Sequence, residues 1–286
     1  MGREPDGCRM QQIEGVRMKI GNREFDVQGH TYVMGILNVT PDSFSDGGKW
    51  NDRDRALGHV EEMLAEGADI IDIGGESTRP GYTLLSEEEE IARVVPVIEA
   101  VKKNFDVPVS LDTYKAKVAQ EGITAGADMI NDIWGLKYDG RMAAVAAASK
   151  LPCCLMHNRR TAEYHSFLTE VCGDLEESIR LALEAGIERE KLILDPGVGF
   201  GKSYEQNLEI INRLEELKKS GYPLLLGCSR KSVIGLTLNL PADQRLEGTL
   251  ATTVLAVVKG CMFVRVHDIK ENVRAVKMTE AILKAG

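Results

Sequence analysis

Eight short apolar runs, each closing on a polar or glycine-rich exit, recur along the 286-residue chain at 32–38, 69–74, 108–112, 128–132, 152–156, 192–195, 223–228 and 261–266. Apolar positions at helical spacing fill the intervals, such as Leu57, Val60, Met63 and Leu64 in the first and Leu208, Ile211, Leu214 and Leu217 in the sixth. Strand alternating with helix predicts a parallel sheet, because parallel neighbours need a crossover long enough to hold a helix. The echo GADIIDIG and GADMINDI puts Gly67 and Gly126 where a helix ends and a strand begins, and Gly221 and Gly260 stand in the same place later. Eight such units in a chain of this length predict an α/β fold, a single (β/α)8 TIM barrel, with an open doubly wound sheet as the alternative. Ahead of them, runs at 16–20 and 24–27 flank Gly21 and Asn22, a turn that predicts an N-terminal β-hairpin closing the barrel bottom. The reading is therefore a leader over 1–17 and one barrel domain over 18–286.

Composition narrows the partners. A net charge of −9 and a pI near 5.2 argue against nucleic acid or an anionic membrane surface, where clustered Lys and Arg supply the affinity. The longest apolar run, near 250–258, is far short of the roughly 18 to 20 residues that span a bilayer, and the first ten residues have no signal core. Six cysteines without a CxxC pair, four of them in strand-like runs, read as reduced, packed thiols. A cytoplasmic protein is expected.

In a barrel of this kind chemistry sits where the strands end. The first strand exits into NVTPDSFSDGG, which offers Asn38, Asp42 and Asp46; a carboxamide with a carboxylate suits hydrated magnesium, and a turn whose acids bond their own backbone is the plain alternative. The second exits into ESTRPG, where Arg79 is a fork for phosphate or a charge paired with Glu76. The third and fourth end in SLDTYK and MINDIWG, with Asp112, Asn131 and Asp132, each of which also suits a helix cap. The sixth, KLILDPGVGFGK, delivers Asp195 to a loop with three glycines, with Ser203 and Gln206 spaced as a capping box for the next helix. The fifth exit, MHNRR, offers Met156, His157 and two arginines to which nothing in the sequence gives a role.

The seventh exit, GCSRKSVIG, puts Ser229, Arg230, Lys231 and Ser232 at a helix start, an anion-friendly end. In the eighth, FVRVHD, Arg265 and His267 lie two apart on an extended strand and face one way, which suits a diphosphate or a lining pair satisfied by acids. Asp268 with Glu271 has the spacing of a capping box. Acids and amides converging on an apolar mouth suit a neutral heterocycle rich in N–H donors, since an acid buried without a partner is costly. The ligand class is purine-like or pterin-like.

NVTPDSFSDGG, ESTRPG, SLDTYK, DPGVGFGK, SRKS and RVHD, in that order from about Val33 onward, resemble the dihydropteroate synthase family of folate biosynthesis. That resemblance implies a transferase that condenses 6-hydroxymethyl-7,8-dihydropterin diphosphate with p-aminobenzoate, by ionisation first, with Mg2+ present. It implies that Asp112, Asn131, Asp195 and Lys231 hold the pterin, and that Asn38, Thr78, Arg79, Arg265 and His267 hold the diphosphate. Asn38, with help from Asp46, would place the metal; Phe200, Lys231 and Ser232 would line the p-aminobenzoate channel. It further implies a homodimer and a sulfonamide target. The loops at 38–48 and 76–81 are too polar and glycine-rich to pack by themselves and are expected to be mobile when empty. Two rivals share the ring-holding acids: a methyltransferase barrel that hands a folate methyl group to a corrinoid partner, and a non-catalytic pterin binder. The first has no use for Arg79, SRKS and RVHD, and the second should have lost Asn38, Asp46, Thr78 and Arg79.

Overall fold

The computed structural model describes residues 17–39, 48–76 and 84–285. An antiparallel hairpin, β1 (Arg17–Ile20) and β2 (Arg23–Asp26), turns on Gly21 at φ +60°. Eight strands follow: β3 (Tyr32–Asn38), β4 (Ile70–Gly74), β5 (Val109–Asp112), β6 (Met129–Asp132), β7 (Cys153–Met156), β8 (Leu192–Asp195), β9 (Leu225–Leu226) and β10 (Phe263–Val266). All pair in parallel in the order β8-β7-β6-β5-β4-β3-β10-β9, and a bridge between Leu194 and Leu224 joins the two ends. The sheet is thus a closed barrel, and the doubly wound alternative falls.

Helices α1 (Gly48–Glu66), α2 (Glu87–Asn104), α3 (Ala116–Thr124), α4 (Met142–Ser149) and α5 (Phe167–Ala185) wrap the first half. The second half carries α6 (Tyr204–Asn212), α7 (Leu214–Lys218), α8 (Ser232–Leu238), α9 (Leu246–Val258) and α10 (Ile269–Leu283). The sixth interval differs from its expected single helix. The chain breaks at Arg213 (φ −109°, ψ 29°), so the inward set becomes Ile210, Ile211, Leu214 and Leu217, and Leu208 is exposed. The capping box of Ser203 and Gln206 forms as its spacing requires.

Alternation along each strand sorts the side chains into two sets. Val33, Leu37, Ile71, Ile73, Leu111, Ile130, Leu155, Leu194, Val264 and Val266 face outward and pack under the helices. Met34, Ile70, Met129, Cys154, Ile193, Leu225 and Phe263 face inward at the lower level, where Met18, Ile20 and Phe25 of the hairpin plug them from below. Fully burying one such side chain contributes about 1.5–3 kcal/mol, so the hairpin is a structural floor. Further up the same strands most of the inward positions turn polar, with Ile36 and Met156 as apolar exceptions.

Candidate active site

The upper inward positions are Asn38, Asp72, Asp112, Asn131, Asp195 and Arg265. The register sets Asn38 beside Gly74, Gly74 beside Asp112, and Asp112 beside Asn131. Arg265 on β10 reaches across the barrel mouth, past β3, to acids on β4 and β5, Nε donating to Asp72 at 2.6 Å and Nη2 to Asp112 at 2.7 Å. Asn131 lies 3.4 Å from Asp72, a long contact that orients rather than holds it. Burial pushes Asp112 up to about 7, with Arg265 pulling the other way and Asp72 adding to the rise. Burial opposes the charge on Arg265 too, but the two carboxylates more than reverse that and keep it cationic.

Asp195 is buried at the end of β8. Its Oδ1 accepts from Gly197 N at 2.7 Å, so the self-capping turn and the delivery of an acid to the mouth coexist in one side chain. Burial raises its pKa, and Lys231 and the Gly197 N–H offset part of the rise. Lys231 opens α8, its ammonium bonded to the Val198 carbonyl and 4.4 Å from the centre of the Phe200 ring. Burial lowers it to about 8, with Asp195 opposing. Phe200 packs with Tyr114, Ile133, Trp134 and Met156, an apolar shelf beside the polar layer. Ser232, the first residue of α8, is exposed at its edge.

The seventh and eighth exits meet as their order predicts: Ser229 Oγ lies 3.0 Å from His267 Nδ1 and accepts from His267 N at 3.2 Å. Arg230 is committed elsewhere. It sits at φ +57° and donates from Nε to Asp268 at 3.0 Å, while its backbone bonds Thr249 and Arg245. Asp268 occupies the N-cap position of α10 but makes no side-chain cap, so the capping box with Glu271 does not form; an arginine partner wins over a backbone N–H. Asp132 is likewise structural, its two oxygens accepting from Trp134 N and Leu136 N at 2.8 and 2.7 Å.

Asp46, Thr78 and Arg79 lie outside the described residues. What flanks Arg79 is described: Lys115 donates to Glu76 at 2.8 Å, to Leu85 O at 2.9 Å and to Glu90 at 2.7 Å, and Tyr114 Oη bonds Glu76. Lys115 therefore links Glu76 to Leu85. Among the described residues no three His, Cys, Asp or Glu side chains gather closely enough to hold a metal. Asn38, half-buried at the top of β3, is the described candidate ligand.

Three residues that matter here escaped the sequence reading. Asp72, with no exposed surface, was hidden in an apolar strand; its signal was a carboxylate inside IIDIG, a run otherwise buried on both faces. Lys115 and Lys202 have no such signal, because a lysine beside a loop reads as solvated until the fold buries it.

The chain matches the family model described as pterin binding enzyme over residues 34–267. It is 62% identical to a dihydropteroate synthase of Clostridium beijerinckii, across 93% of this chain and all of that one. A solved dihydropteroate synthase of Clostridium difficile, crystallised in the presence of pteroic acid, is 52% identical with a TM-score of 0.87, covering 89% and 98% of the two chains. A Xanthomonas albilineans dihydropteroate synthase with 4-aminobenzoic acid is 41% identical with a TM-score of 0.89, covering 94% and 99%. With its barrel, its acid-lined mouth and these likenesses, the chain belongs to the pterin-binding enzymes, in the dihydropteroate synthase family.

Proposed function

We propose that the chain is a transferase that joins 6-hydroxymethyl-7,8-dihydropterin diphosphate to p-aminobenzoate, giving 7,8-dihydropteroate and diphosphate for folate synthesis. The observation that carries the reading is the inward polar layer, in which Asp112, Asn131 and Asp195 face one mouth together with Arg265 and Lys231. The aminopyrimidine edge of a pterin presents N–H groups that suit Asp195, and its ring acceptors suit Asn131 and Lys231. Asp112, held by Arg265, takes the ring's far side. Hydrogen bonds to charged groups are worth about 1.5–3 kcal/mol each, enough for a few of them to select this ring.

Arg265 and His267, with Asn38, Thr78 and Arg79, are assigned to the diphosphate. Arg265 has its Nε and Nη2 on the two acids, which leaves Nη1 for a phosphate oxygen. The C–O bond between the pterin methylene and the diphosphate breaks first, its electron pair leaving with the diphosphate. The aromatic amine then bonds the methylene and releases a proton to solvent. No side chain need bond the substrate covalently; positioned charge stabilises the separating ions. Asn38, with help from Asp46, would hold magnesium, and the ion would offset leaving-group charge.

The second substrate is assigned to the shelf of Phe200, Lys231 and Ser232, where Lys231 can meet its carboxylate. The X. albilineans relative solved with 4-aminobenzoic acid supports p-aminobenzoate as the second substrate, and sulfonamides of the same shape should compete with it. A homodimer is proposed through α9 and α10, which pack together and expose Val254, Val258, Met278 and Ile282 as an apolar face; sedimentation should give twice the chain mass. A cytoplasmic setting accords with the five described cysteines, all free thiols, and among the described residues no helix is long and apolar enough to cross a membrane.

The test is to incubate purified protein with both substrates and magnesium and follow dihydropteroate and diphosphate. Equimolar release supports the reading; no product, with methyl transfer to a corrinoid acceptor instead, favours the rival barrel.

A further inference from the structure

The fifth strand exit, MHNRR, has no part in the chemistry above, yet its side chains hold the wall of the proposed p-aminobenzoate site. Gly197, Gly199 and Gly201 all have positive φ, and the loop they shape is pressed against β7's exit. A Cβ at Gly197 would meet His157 O at 1.8 Å and one at Gly201 would meet Arg159 O at 2.3 Å, so the two backbones touch. Lys202 points into this loop. Its ammonium donates to Gly197 O at 2.9 Å, to Phe200 O at 3.0 Å and to His157 Nδ1 at 2.7 Å, which uses all three protons.

The Asp174 carboxylate only accepts, so the ring proton sits on Nε2 and donates to Asp174 Oδ2 at 3.0 Å, which leaves His157 Nδ1 as the acceptor for Lys202, whose own pKa burial lowers to about 7. Burial, with Lys202 adding to it, lowers His157 to about 3, which keeps the ring neutral as this pattern requires. Asp174 is fixed in turn by Arg159 Nε at 2.6 Å. Tyr164, under the Arg159 guanidinium, donates to Gly201 O at 2.7 Å. The carbonyls of 197 and 200 are thus held by Lys202, and that of 201 by Tyr164 in the connection between β7 and α5. The Val198 carbonyl is left for Lys231, and the Phe200 ring stands beside the same ammonium.

We infer that His157 and Lys202 are positioning residues that set Phe200 and Lys231 for the aromatic amine substrate through a chain from Asp174 to the 197–201 carbonyls. The inference rests on the assignment of Phe200 and Lys231 to p-aminobenzoate. A shift of about 1 Å at such a wall can cost on the order of a hundredfold in rate.

The experiment compares Lys202→Met, His157→Leu and His157→Gln. An amide separates one acceptor from one donor by about the same span as the imidazole nitrogens, so His157→Gln should restore what His157→Leu loses. Lys202→Met and His157→Leu should raise KM for p-aminobenzoate at least tenfold and KM for the pterin diphosphate several-fold less, because the pterin shares Lys231 and the Gly197 contact to Asp195 but not Phe200; His157→Gln should stay near the parent protein. Unchanged constants, or equal losses for both substrates, would overturn the inference. If Lys202→Met does not fold, the two His157 variants decide it alone. Amide hydrogen exchange across 197–201 in ligand-free protein gives a second readout, with protection lost in His157→Leu and retained in His157→Gln. Parent protein that forms no product counts against the proposed reaction; exchange indifferent to these variants counts against the anchor.

Discussion

Arg265 Nε stands 2.6 Å from Asp72, a carboxylate with no exposed surface, across the strands β10 and β4 that flank β3. The two are 193 residues apart in the chain, and closing the barrel is what brings them together. Removing one partner of a buried pair strands the other's charge, at a cost of about 3–5 kcal/mol. Asp72→Ala should therefore lower the unfolding free energy by that order in a denaturant titration, although Asp72 is assigned to no substrate. A change under about 1 kcal/mol would mean that water already satisfies Arg265.

Arg265→Ala should weaken two ligands. The guanidinium also holds Asp112, so its loss frees an acid assigned to the pterin as well as a cation assigned to the diphosphate. Calorimetry with free diphosphate and with a pterin lacking the diphosphate should show both affinities reduced, the diphosphate more. Loss of diphosphate binding alone would show that Asp112 keeps its place unaided.

The barrel was legible in the sequence because its signals are local and repeated: eight apolar runs, helical periods between them, and glycines at the helix ends. The inward direction of Arg265 followed from strand alternation alone. What could not be read was which partners those side chains choose. Asp195 caps its own loop and still faces the mouth, Asp268 abandons its helix for Arg230 of the preceding exit, and Lys202 is buried among its own loop's carbonyls against His157 of another. Arg213, too, breaks a run whose apolar spacing continues unbroken through it.

Lys231 gives the site a pH dependence. Its folded value of about 8 lies below the ordinary 10.5, so between those values the unfolded chain binds a proton that the folded chain has lost. Stability should gain from this group as pH rises from 8 to 10.5, and the full cost of the buried charge is present below 8. Activity runs the other way. Above about pH 8 the cation facing the substrates disappears, and kcat/KM of the free enzyme should fall along an alkaline limb. Lys231→Arg should move that limb beyond the accessible range; a limb left at pH 8 would assign it to another group.

The pocket's claim on a pterin is tested most directly at Asp195. In Asp195→Asn one acceptor becomes a donor facing the ligand's own N–H groups, while the side chain keeps its size and can still accept from Gly197 N. Calorimetric titration with a pterin analogue should show affinity falling by at least about tenfold, the equivalent of one lost charged hydrogen bond, with the unfolding midpoint little changed. Equal affinity for the parent protein and the variant would contradict the account.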